Sequence, residues 1–410
     1  MFVAFDANGN VISVLGMSDN SIRQLKNTGP YFCPACKEQV ILKAGKKRHP
    51  HFSHKHRCFV KPEGESVRHL EGKRWLYLWF SRQGFEPVLE KYIPEIQQRP
   101  DLYIIFKDRP VAVEFQASII PVEELVKRTQ AYVKHGIFPL WIVDADVVKK
   151  RHSNILHLTD FLSFFIHDAP FHQPSFITFN PVKKEFSLYT NLLPYSSQRA
   201  LFDSKSFPFD TDWQTIVNTQ IPPVRFYDYW LEVTEQWLMH LSMSSKARHN
   251  PFLRYLYNQH IHLLQLPPEV GLPVKHLYRL KPSPFIWQGY IWHYFLYARK
   301  EGAEFTLRDI YLFLSQTGRT AMEKRMTVTY WQQERERNPI YEYLRLLSAI
   351  GIVKLEGDTV KLQKPVELIT KPNLMRHAMR KDFFRMYKGK IIRSLMLTNE
   401  SNMDKVKIIK

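Results

Sequence analysis

Residues 99–118 read RPDLYIIFKDRPVAVEFQAS, two apolar runs joined by a short polar turn. Residues 102–106 and 111–115 have the length and composition of buried β-strands, and the charged residues between them are typical of a tight turn. The sequence therefore predicts an antiparallel hairpin. In that hairpin Asp101 and Glu114 lie opposite each other near one end.

The segments on either side of this hairpin complete a small α/β unit over residues 61–148. Residues 65–82 carry apolar side chains at helical spacing and predict a helix. Residues 87–92 predict a strand before the hairpin, and residues 121–135 and 138–143 predict a helix and a strand after it. The order αβββαβ is that of a single α/β domain.

The first sixty residues divide into a hairpin region, residues 1–30, and a Cys/His segment, residues 31–60. In the hairpin region, Asn8-Gly9 lies between the apolar runs FVAFD and VISVL. Asn-Gly between two such runs is a strong signal for a β-hairpin turn.

Zinc ligands are predicted in the Cys/His segment. A Cys-x2-Cys turn presents two thiols, and a second pair follows after fourteen residues. The predicted ligands of a tetrahedral Zn²⁺ are Cys33, Cys36, His51 and His54. His56 and Cys58 are alternatives to either histidine. Such zinc would be structural, since the segment has little apolar mass of its own; the competing interpretation is a free thiol pair in a cationic segment.

The rest of the chain divides into three predicted segments. Residues 149–283 have scattered prolines and are assigned as a mainly helical connector. Residues 284–370 predict three helices and a hairpin, the plan of a winged helix or of a small α+β packing module. Residues 371–410 form a basic tail with 11 Lys+Arg against 3 Asp+Glu, suited to phosphate contact or to a solvated terminal helix.

The charge of the chain indicates a polyanionic partner. Its 58 Lys+Arg exceed its 39 Asp+Glu by 19, and nucleic acid is the default partner for such a chain. No run approaches the roughly 18 apolar residues of a membrane span. Three cysteines cannot form a disulfide framework for 410 residues. We expect a multidomain cytoplasmic protein with no membrane span.

The carboxylates at the hairpin end predict a second metal site. Asp101 and Glu114 converge there, and Mg²⁺ or Mn²⁺ prefers oxygen ligands. Side chains alternate along a strand, so Gln116 lies on the same side as Glu114, where its amide could orient a water molecule. A metal ion in this place would promote phosphodiester hydrolysis. The competing interpretation is an ordinary surface Asp and Glu.

The two predicted helices add polar side chains to this site. Glu65, His69 and Lys73 lie on one face of the first helix, at i, i+4 and i+8. We expect Glu65 to support a second metal ion or a water, and His69 and Lys73 to contact phosphate. On the second helix, Arg128 and Tyr132 are expected either to contact phosphate or to form a packing and salt-bridge pair.

Five short motifs are specific when taken together. They are Phe32-Cys33-Pro34-Ala35-Cys36, His51-Phe52-Ser53-His54, Arg99-Pro100-Asp101, Glu114-Phe115-Gln116-Ala117-Ser118, and Arg128 with Tyr132. On these motifs the chain resembles the competence protein CoiA family. The resemblance implies a PD-(D/E)xK, restriction-endonuclease-like core and a role in handling incoming DNA for homologous recombination during natural transformation. Gln116 stands where that class has its lysine. Lys73 is the first candidate to supply the missing charge, and Lys127 is the second.

The expected architecture is α+β and multidomain, with an N-terminal β-hairpin and zinc-binding segment, the nuclease-like core, and a helical C-terminal region with the winged helix. The implied function is a Mg²⁺- or Mn²⁺-dependent deoxyribonuclease acting on single- or double-stranded DNA, with recombination or competence proteins as further partners. The alternative is a non-catalytic DNA-binding accessory protein for recombination with a degenerate nuclease fold.

Overall fold

The computed structural model describes residues 1–45, 49–56, 58, 65–168, 170–171, 173–223, 226–244, 249–316, 323–325 and 337–396. These residues form an N-terminal sheet, a large mixed central sheet and a helical C-terminal part with a small third sheet. The α+β class is confirmed. Residues 46–48, 57 and 59–60 of the predicted Cys/His segment and residues 397–410 of the predicted basic tail lie outside the described residues.

The N-terminal sheet has five strands in the order β2-β1-β3-β4-β5. They are β1 (Val3–Phe5), β2 (Val11–Ser13), β3 (Tyr31–Phe32), β4 (Gln39–Lys43) and β5 (His51–His54), with helix α1 (Asp19–Lys26) between β2 and β3. The predicted hairpin is present, and Gly9 in its turn has φ +82°, a conformation that glycine adopts without strain. Strand β1 pairs with β2 of the hairpin region and with β3 of the Cys/His segment. The two predicted segments therefore form one sheet.

The central sheet has nine strands in the order β10-β11-β14-β13-β12-β9-β8-β7-β6. Its first half comprises α2 (Val67–Arg82), β6 (Val88–Leu89), β7 (Leu102–Phe106), β8 (Arg109–Gln116), α3 (Val122–Lys134) and β9 (Phe138–Asp144). This is the predicted order of elements. Strands β7 and β8 form the expected antiparallel hairpin, with Leu102 opposite Val113, and β9 runs parallel to β8.

Helices α2 and α3 cover opposite faces of this sheet. Val113 and Phe115 of β8 pack in the same core as Leu70 of α2. Ala112, the neighbour of Val113 on the strand, packs with Tyr132 of α3. Since successive side chains of a strand point to opposite faces, the two helices enclose the sheet between them.

Residues 150–208 differ from the mainly helical connector predicted there. Their elements are β10 (Lys150–His152), β11 (Ile155–His157), α4 (Asp160–Phe164), β12 (Ser175–Asn180), β13 (Glu185–Pro194) and β14 (Arg199–Pro208). Strand β12 joins β9 in parallel, so these strands extend the central sheet. The sequence did not indicate strand β12, because β12 is buried on both faces and shows no alternation of apolar and polar residues. Helices α5 (Trp213–Asn218), α6 (Phe226–Met243) and α7 (Pro251–Asn258) follow.

The C-terminal part contains the three helices and the hairpin that the sequence predicted. Its elements are α8 (Pro284–Ile291), β15 (Glu304–Thr306), α9 (Leu307–Gln316), α10 (Pro339–Ala349), β16 (Val353–Glu356), β17 (Thr359–Leu362) and α11 (Pro372–Met396). Strand β15 was not predicted and pairs with β17. Helix α11 occupies much of the basic tail, and its Arg376 and Arg380 form ion pairs with Glu235 of α6. No helix of the described ranges is long and apolar enough to cross a membrane.

His276 joins the central and C-terminal parts. Its Nδ1 is hydrogen-bonded to Glu342 of α10, and its Nε2 is 3.5 Å from the carboxylate of Asp168, which follows α4. Burial by itself lowers the pKa of His276, but the two carboxylates outweigh it and raise the pKa above its ordinary value. The ring therefore bridges carboxylates from two distant parts of the chain, and the raised pKa favours its protonated form.

Candidate functional site

Three cysteines and one histidine meet beside the N-terminal sheet. Their Sγ atoms and one ring nitrogen all lie within 4.8 Å of one another. The four residues, called the Cys3His cluster below, are Cys33, Cys36, His54 and Cys58. The turn between β3 and β4 presents its two cysteines because the Cys33 carbonyl accepts the N–H of Lys37. A compact set of three thiols and one imidazole suits tetrahedral Zn²⁺.

The structure brings three of the four predicted zinc ligands together and adds Cys58, which the sequence offered as an alternative, in place of His51. His51 and His54 are three residues apart on β5, so their side chains point to opposite faces of the strand. The Nδ1 of His51 lies 2.8 Å from the His49 carbonyl instead. His56, the other alternative, is exposed and is not in the cluster.

Burial shapes the protonation of the cluster. It raises the pKa of the Cys36 thiol to about 12, and the neighbouring Cys33 adds to the effect. Burial, followed by the positive charge of Arg99, lowers the pKa of His54 and favours the neutral imidazole. A neutral imidazole is the form that binds a metal, whereas a thiol has to lose its proton on binding.

A second group of ligand atoms lies at the start of α2. Oxygen or nitrogen atoms of Glu65, His69 and Asp101 are all within 4.8 Å of one another, and we call this group the acidic site. The His69 Nε2 is 2.9 Å from Asp101 Oδ2, which also accepts the backbone N–H of Phe115 at 2.9 Å. The sequence named all three residues, and the structure places them together.

Lys73 lies inside this site rather than on its surface. Its Nζ is 2.9 Å from Glu65, 2.5 Å from Glu90 and 3.4 Å from Asp101, and its side chain is fully buried. Burial alone lowers the pKa of Lys73, but Glu65, Glu90 and Asp101 reverse that effect and raise the pKa above its usual value. The ammonium therefore serves as a counter-charge inside the protein, away from the position in which it would meet a phosphate directly.

Positive and negative charges balance around Lys73. Three carboxylates are close to it: Glu65, Glu90 and Asp101. Two further cations approach Glu65, the ammonium of Met1 at 2.9 Å and the guanidinium of Arg99 at 4.0 Å. Three carboxylates thus face three cations, which is the usual condition for burying charge in a protein.

Glu90 is a member of the site that the sequence did not predict. Its carboxylate accepts the backbone N–H groups of Phe2 and Val3 at 3.0 to 3.1 Å and thereby attaches strand β1 to the acidic site. Its backbone has φ +51°, which is uncommon outside glycine. An isolated acidic residue at the end of a two-residue strand carries no pattern from which this role could be read.

Glu114 and Gln116 lie on β8 but make separate contacts. The Oε1 of Glu114 accepts hydrogen bonds from the Arg128 guanidinium and, at 2.7 Å, from the Tyr132 hydroxyl. The amide of Gln116 donates to the Ser118 carbonyl at 2.6 Å. The pair Arg128 and Tyr132 therefore packs against a buried carboxylate, which was the second of the two expectations for it.

The structure separates the side chains of Asp101 and Glu114. Their backbones are adjacent, as the register of β7 and β8 requires. However, Asp101 precedes β7, and its carboxylate takes the Phe115 N–H on the side of α2, whereas Glu114 points to α3. Neither of the ligand groups found among the described residues contains Glu114. The predicted two-carboxylate metal site is thus replaced by Glu65, His69 and Asp101.

Comparison with known proteins places this site in a class of protein. Residues 65–220, which contain the acidic site and most of the central sheet, match the family model "Competence protein CoiA, nuclease-like domain". The fold and the match together define a protein with a nuclease-like domain. No solved structure matches the chain significantly.

The flanking regions match models of the same family. Residues 14–61 match its N-terminal domain, and residues 227–371 match its C-terminal domain. The competence protein CoiA of Bacillus subtilis (strain 168) is 30% identical over 267 residues, which cover 64% of this chain and 71% of that protein. The chain belongs to the competence protein CoiA family.

Proposed function

We propose that this protein is a metal-dependent deoxyribonuclease that processes incoming DNA for homologous recombination during natural transformation. The observation that carries the proposal is the convergence of Glu65, His69 and Asp101 beside the end of β8 in the nuclease-like domain. Carboxylates and an imidazole within 4.8 Å of one another form a donor set for Mg²⁺ or Mn²⁺.

The residues around the site suit phosphodiester hydrolysis. A divalent ion held by Glu65, His69 and Asp101 would offset charge on a phosphate and favour ionisation of water. Asp101 is held in place by the Phe115 N–H. Gln116 lies on the opposite side of β8, with Glu114, its amide donates to the Ser118 carbonyl, and an amide cannot supply positive charge. Lys73 contributes positive charge inside the site, where it balances the carboxylates and does not meet a phosphate directly.

The fold around the site supports a restriction-endonuclease-like core. The elements follow in the order α2, β6, β7, β8, α3, β9. Strands β6, β7 and β8 pair antiparallel, and β9 runs parallel to β8. In this proposal the mixed sheet positions Asp101 at the end of β7 while α2 brings its polar face to that end.

We also assign structural zinc to the Cys3His cluster, held by Cys33, Cys36, His54 and Cys58. The compact thiol and imidazole set supports this assignment. Thiol ligands remain reduced in the cytoplasm, which is the location that we propose for the protein. A zinc ion would join the turn between β3 and β4 to strand β5 and to Cys58, within the same sheet that Glu90 attaches to the acidic site.

We assign DNA binding to the basic residues of the chain and to its C-terminal part. There α8, α9 and α10 with the sheet β15-β17-β16 have the element order of a winged helix, a fold that often places a helix in the major groove. The net charge of +19 supports a polyanionic partner. Competence or recombination proteins are the further partners proposed.

A second function is favoured by one specific observation. The three carboxylates around Lys73 already face three cations, so a divalent ion has to enter a site that is neutral without it. Binding would be weaker than in a site with excess negative charge. A DNA-binding accessory protein with a degenerate nuclease fold is therefore the second candidate.

Cleavage of labelled DNA separates the two functions. Wild type is compared with Asp101→Asn and His69→Gln, on single- and double-stranded substrates, with Mg²⁺ or Mn²⁺ and with binding measured in parallel. Asp108→Asn is the matched control, because Asp108 is an exposed aspartate in the turn of the same hairpin.

Under the nuclease proposal, wild type and the control cut DNA, both site variants lose cleavage by at least about two orders of magnitude, and DNA binding persists. Tight binding by wild type with no cleavage under either metal would establish the accessory function instead.

A further inference from the structure

Arg99 lies buried between the Cys3His cluster and the acidic site. Its Nη1 is 3.6 Å from the Sγ of Cys33 and 3.0 Å from the Sδ of Met1. Its Nη2 is 4.0 Å from an oxygen of Glu65. The side chain is 4% exposed, and its backbone directly precedes Pro100 and Asp101. One guanidinium thus reaches a ligand of each group.

We propose that Arg99 is a positioning residue that couples the Cys3His cluster to the acidic site through Glu65. This inference rests on the zinc assignment of the proposed function and deepens it. Nothing in the proposal requires that the acidic site cleaves DNA. Arg99 touches neither a substrate nor a reacting atom; it acts through Cys33 and Glu65.

The charge of the cluster changes when a metal ion binds. Zn²⁺ with three thiolates and a neutral imidazole carries 2 − 3 = −1. The guanidinium of Arg99 can then donate a charge-assisted hydrogen bond to the Cys33 sulfur, which is stronger than a bond to a neutral thiol. Without metal, the neutral thiols attract the guanidinium less, and the Glu65 carboxylate is its nearest charged partner.

Cys33 and Glu65 therefore compete for one cation. A filled cluster draws Arg99 toward Cys33 and leaves Glu65 with Lys73 and the Met1 ammonium. Because coupling between two sites is reciprocal, a change at Glu65 must alter the retention of zinc by the same free energy. This reciprocity allows the coupling to be measured at the zinc cluster alone.

The test is a double-mutant cycle on the dissociation constant for zinc, measured at equilibrium in competition with a chromogenic chelator, in the full-length chain. Zinc content is measured first. Glu65→Gln removes the competing carboxylate charge and is expected to tighten zinc binding about fivefold, at the lower end of coupling between sites. Arg99→Met removes the hydrogen-bond donor and is expected to weaken zinc binding about 10- to 100-fold, as for other residues that support metal ligands. The double variant should bind zinc with the affinity of Arg99→Met.

The opposite directions of the two single variants distinguish coupling from a general loss of structure, which would weaken zinc binding in both. Arg325→Gln is the matched control: Arg325 is a buried arginine that binds the carboxylate of Asp160 and the Ser197 carbonyl. Its affinity for zinc should equal that of wild type. Weaker zinc binding in Glu65→Gln, or the same Glu65→Gln effect with and without Arg99, overturns the inference.

Two further results are decisive. If wild type binds no zinc, the zinc assignment fails and the coupling fails with it; if zinc is bound and the cycle shows no coupling, only the inference on Arg99 is overturned. If circular dichroism shows that Arg99→Met is unfolded, Arg99→Lys takes its place. A single ammonium cannot reach both Cys33 and Glu65, so the effect of Glu65→Gln should disappear in that background as well.

Discussion

Replacing Lys73 with Met tests the charge balance of the acidic site. The change shortens the unbranched side chain by one atom and removes one buried cation from among three carboxylates. Glu65 retains the Met1 ammonium, but Glu90 loses the one side-chain cation that contacts it at 2.5 Å. Removing one partner of a buried ion pair costs about 3–5 kcal/mol, and we expect a loss of that size in the free energy of unfolding of the nuclease-like domain at neutral pH.

The pH dependence of this loss gives a sharper result than its size. In the wild type, burial raises the pKa of Glu90, but Lys73 reverses that effect and the pKa lies below its ordinary value of 4.5. The stability that Glu90 contributes is therefore present above pH 4.5 and is lost as the pH falls through the lower, folded-state value.

In Lys73→Met, burial acts on Glu90 without its main opposing charge, so the folded-state pKa rises above that of the unfolded chain. The variant then gains stability as the pH falls, by up to about 1.4 kcal/mol per pH unit. The difference in unfolding free energy between wild type and variant should narrow between about pH 7 and about pH 5.

Hydrogen exchange of the amides in β7 and β8, measured at both pH values, reports the unfolding free energy of this domain. Lys127→Met, at an exposed lysine of α3, is the control and should remain within about 0.5 kcal/mol of wild type. Adding Glu90→Gln to Lys73→Met should recover part of the loss, because both charges are then absent. The proposed charge balance would be refuted if Lys73→Met lowered the unfolding free energy by less than about 1 kcal/mol. It would also be refuted if the difference between wild type and variant were larger at about pH 5 than at about pH 7.

Three further changes address packing, zinc binding and the link between the two main parts of the chain. Gly72→Ala places a Cβ 2.0 Å from the Phe115 ring. It should lower the free energy of unfolding measured in urea by about 1–3 kcal/mol. An unchanged free energy of unfolding would show that α2 can move away from β8. Cys58→Ser should lose bound zinc while His51→Gln retains it, as measured by metal analysis; the reverse result would restore the ligand set predicted from sequence. The pKa of His276 is raised, so its contribution to stability is complete below pH 6.5 and is lost as the pH rises through the folded-state value. In His276→Gln, thermal unfolding measured across these pH values should no longer show this loss of stability. A pH dependence equal to that of wild type would contradict the bridge from His276 to Glu342 and Asp168.

Local sequence patterns predicted the hairpin of β7 and β8 and the helices on either side of it. Helical spacing located α2 and α3, and the run from Leu102 to Gln116 located the two strands with their register. These features depend on residues that are close in the sequence, where periodicity and turn chemistry act directly. Among the strands missed between residues 150 and 208, β12 is buried on both faces and therefore carries no alternation of apolar and polar residues.

At the candidate site, sequence reasoning named most residues but not their contacts. It placed Asp101 with Glu114, since the register of a hairpin makes them neighbours. It also placed the start of β7 at Leu102, as the structure does, but it could not show that the Asp101 carboxylate turns toward α2 and accepts the Phe115 N–H. It chose His51 as a ligand from spacing alone, although the period of two along a strand separates His51 from His54.

The sequence by itself determined the order of elements from α2 to β9, the positive charge, the Cys-x2-Cys turn and the polar face of α2. Only the tertiary structure decided that Cys58 completes the Cys3His cluster, that Glu90 binds strand β1, and that Arg99 lies between two ligand groups. The contacts of Cys58 with Cys36, of Arg99 with Cys33 and of Glu90 with Val3 join residues 22, 66 and 87 positions apart in the chain. Their proximity follows from how the two sheets and α2 pack together, and no local pattern of residues records that packing.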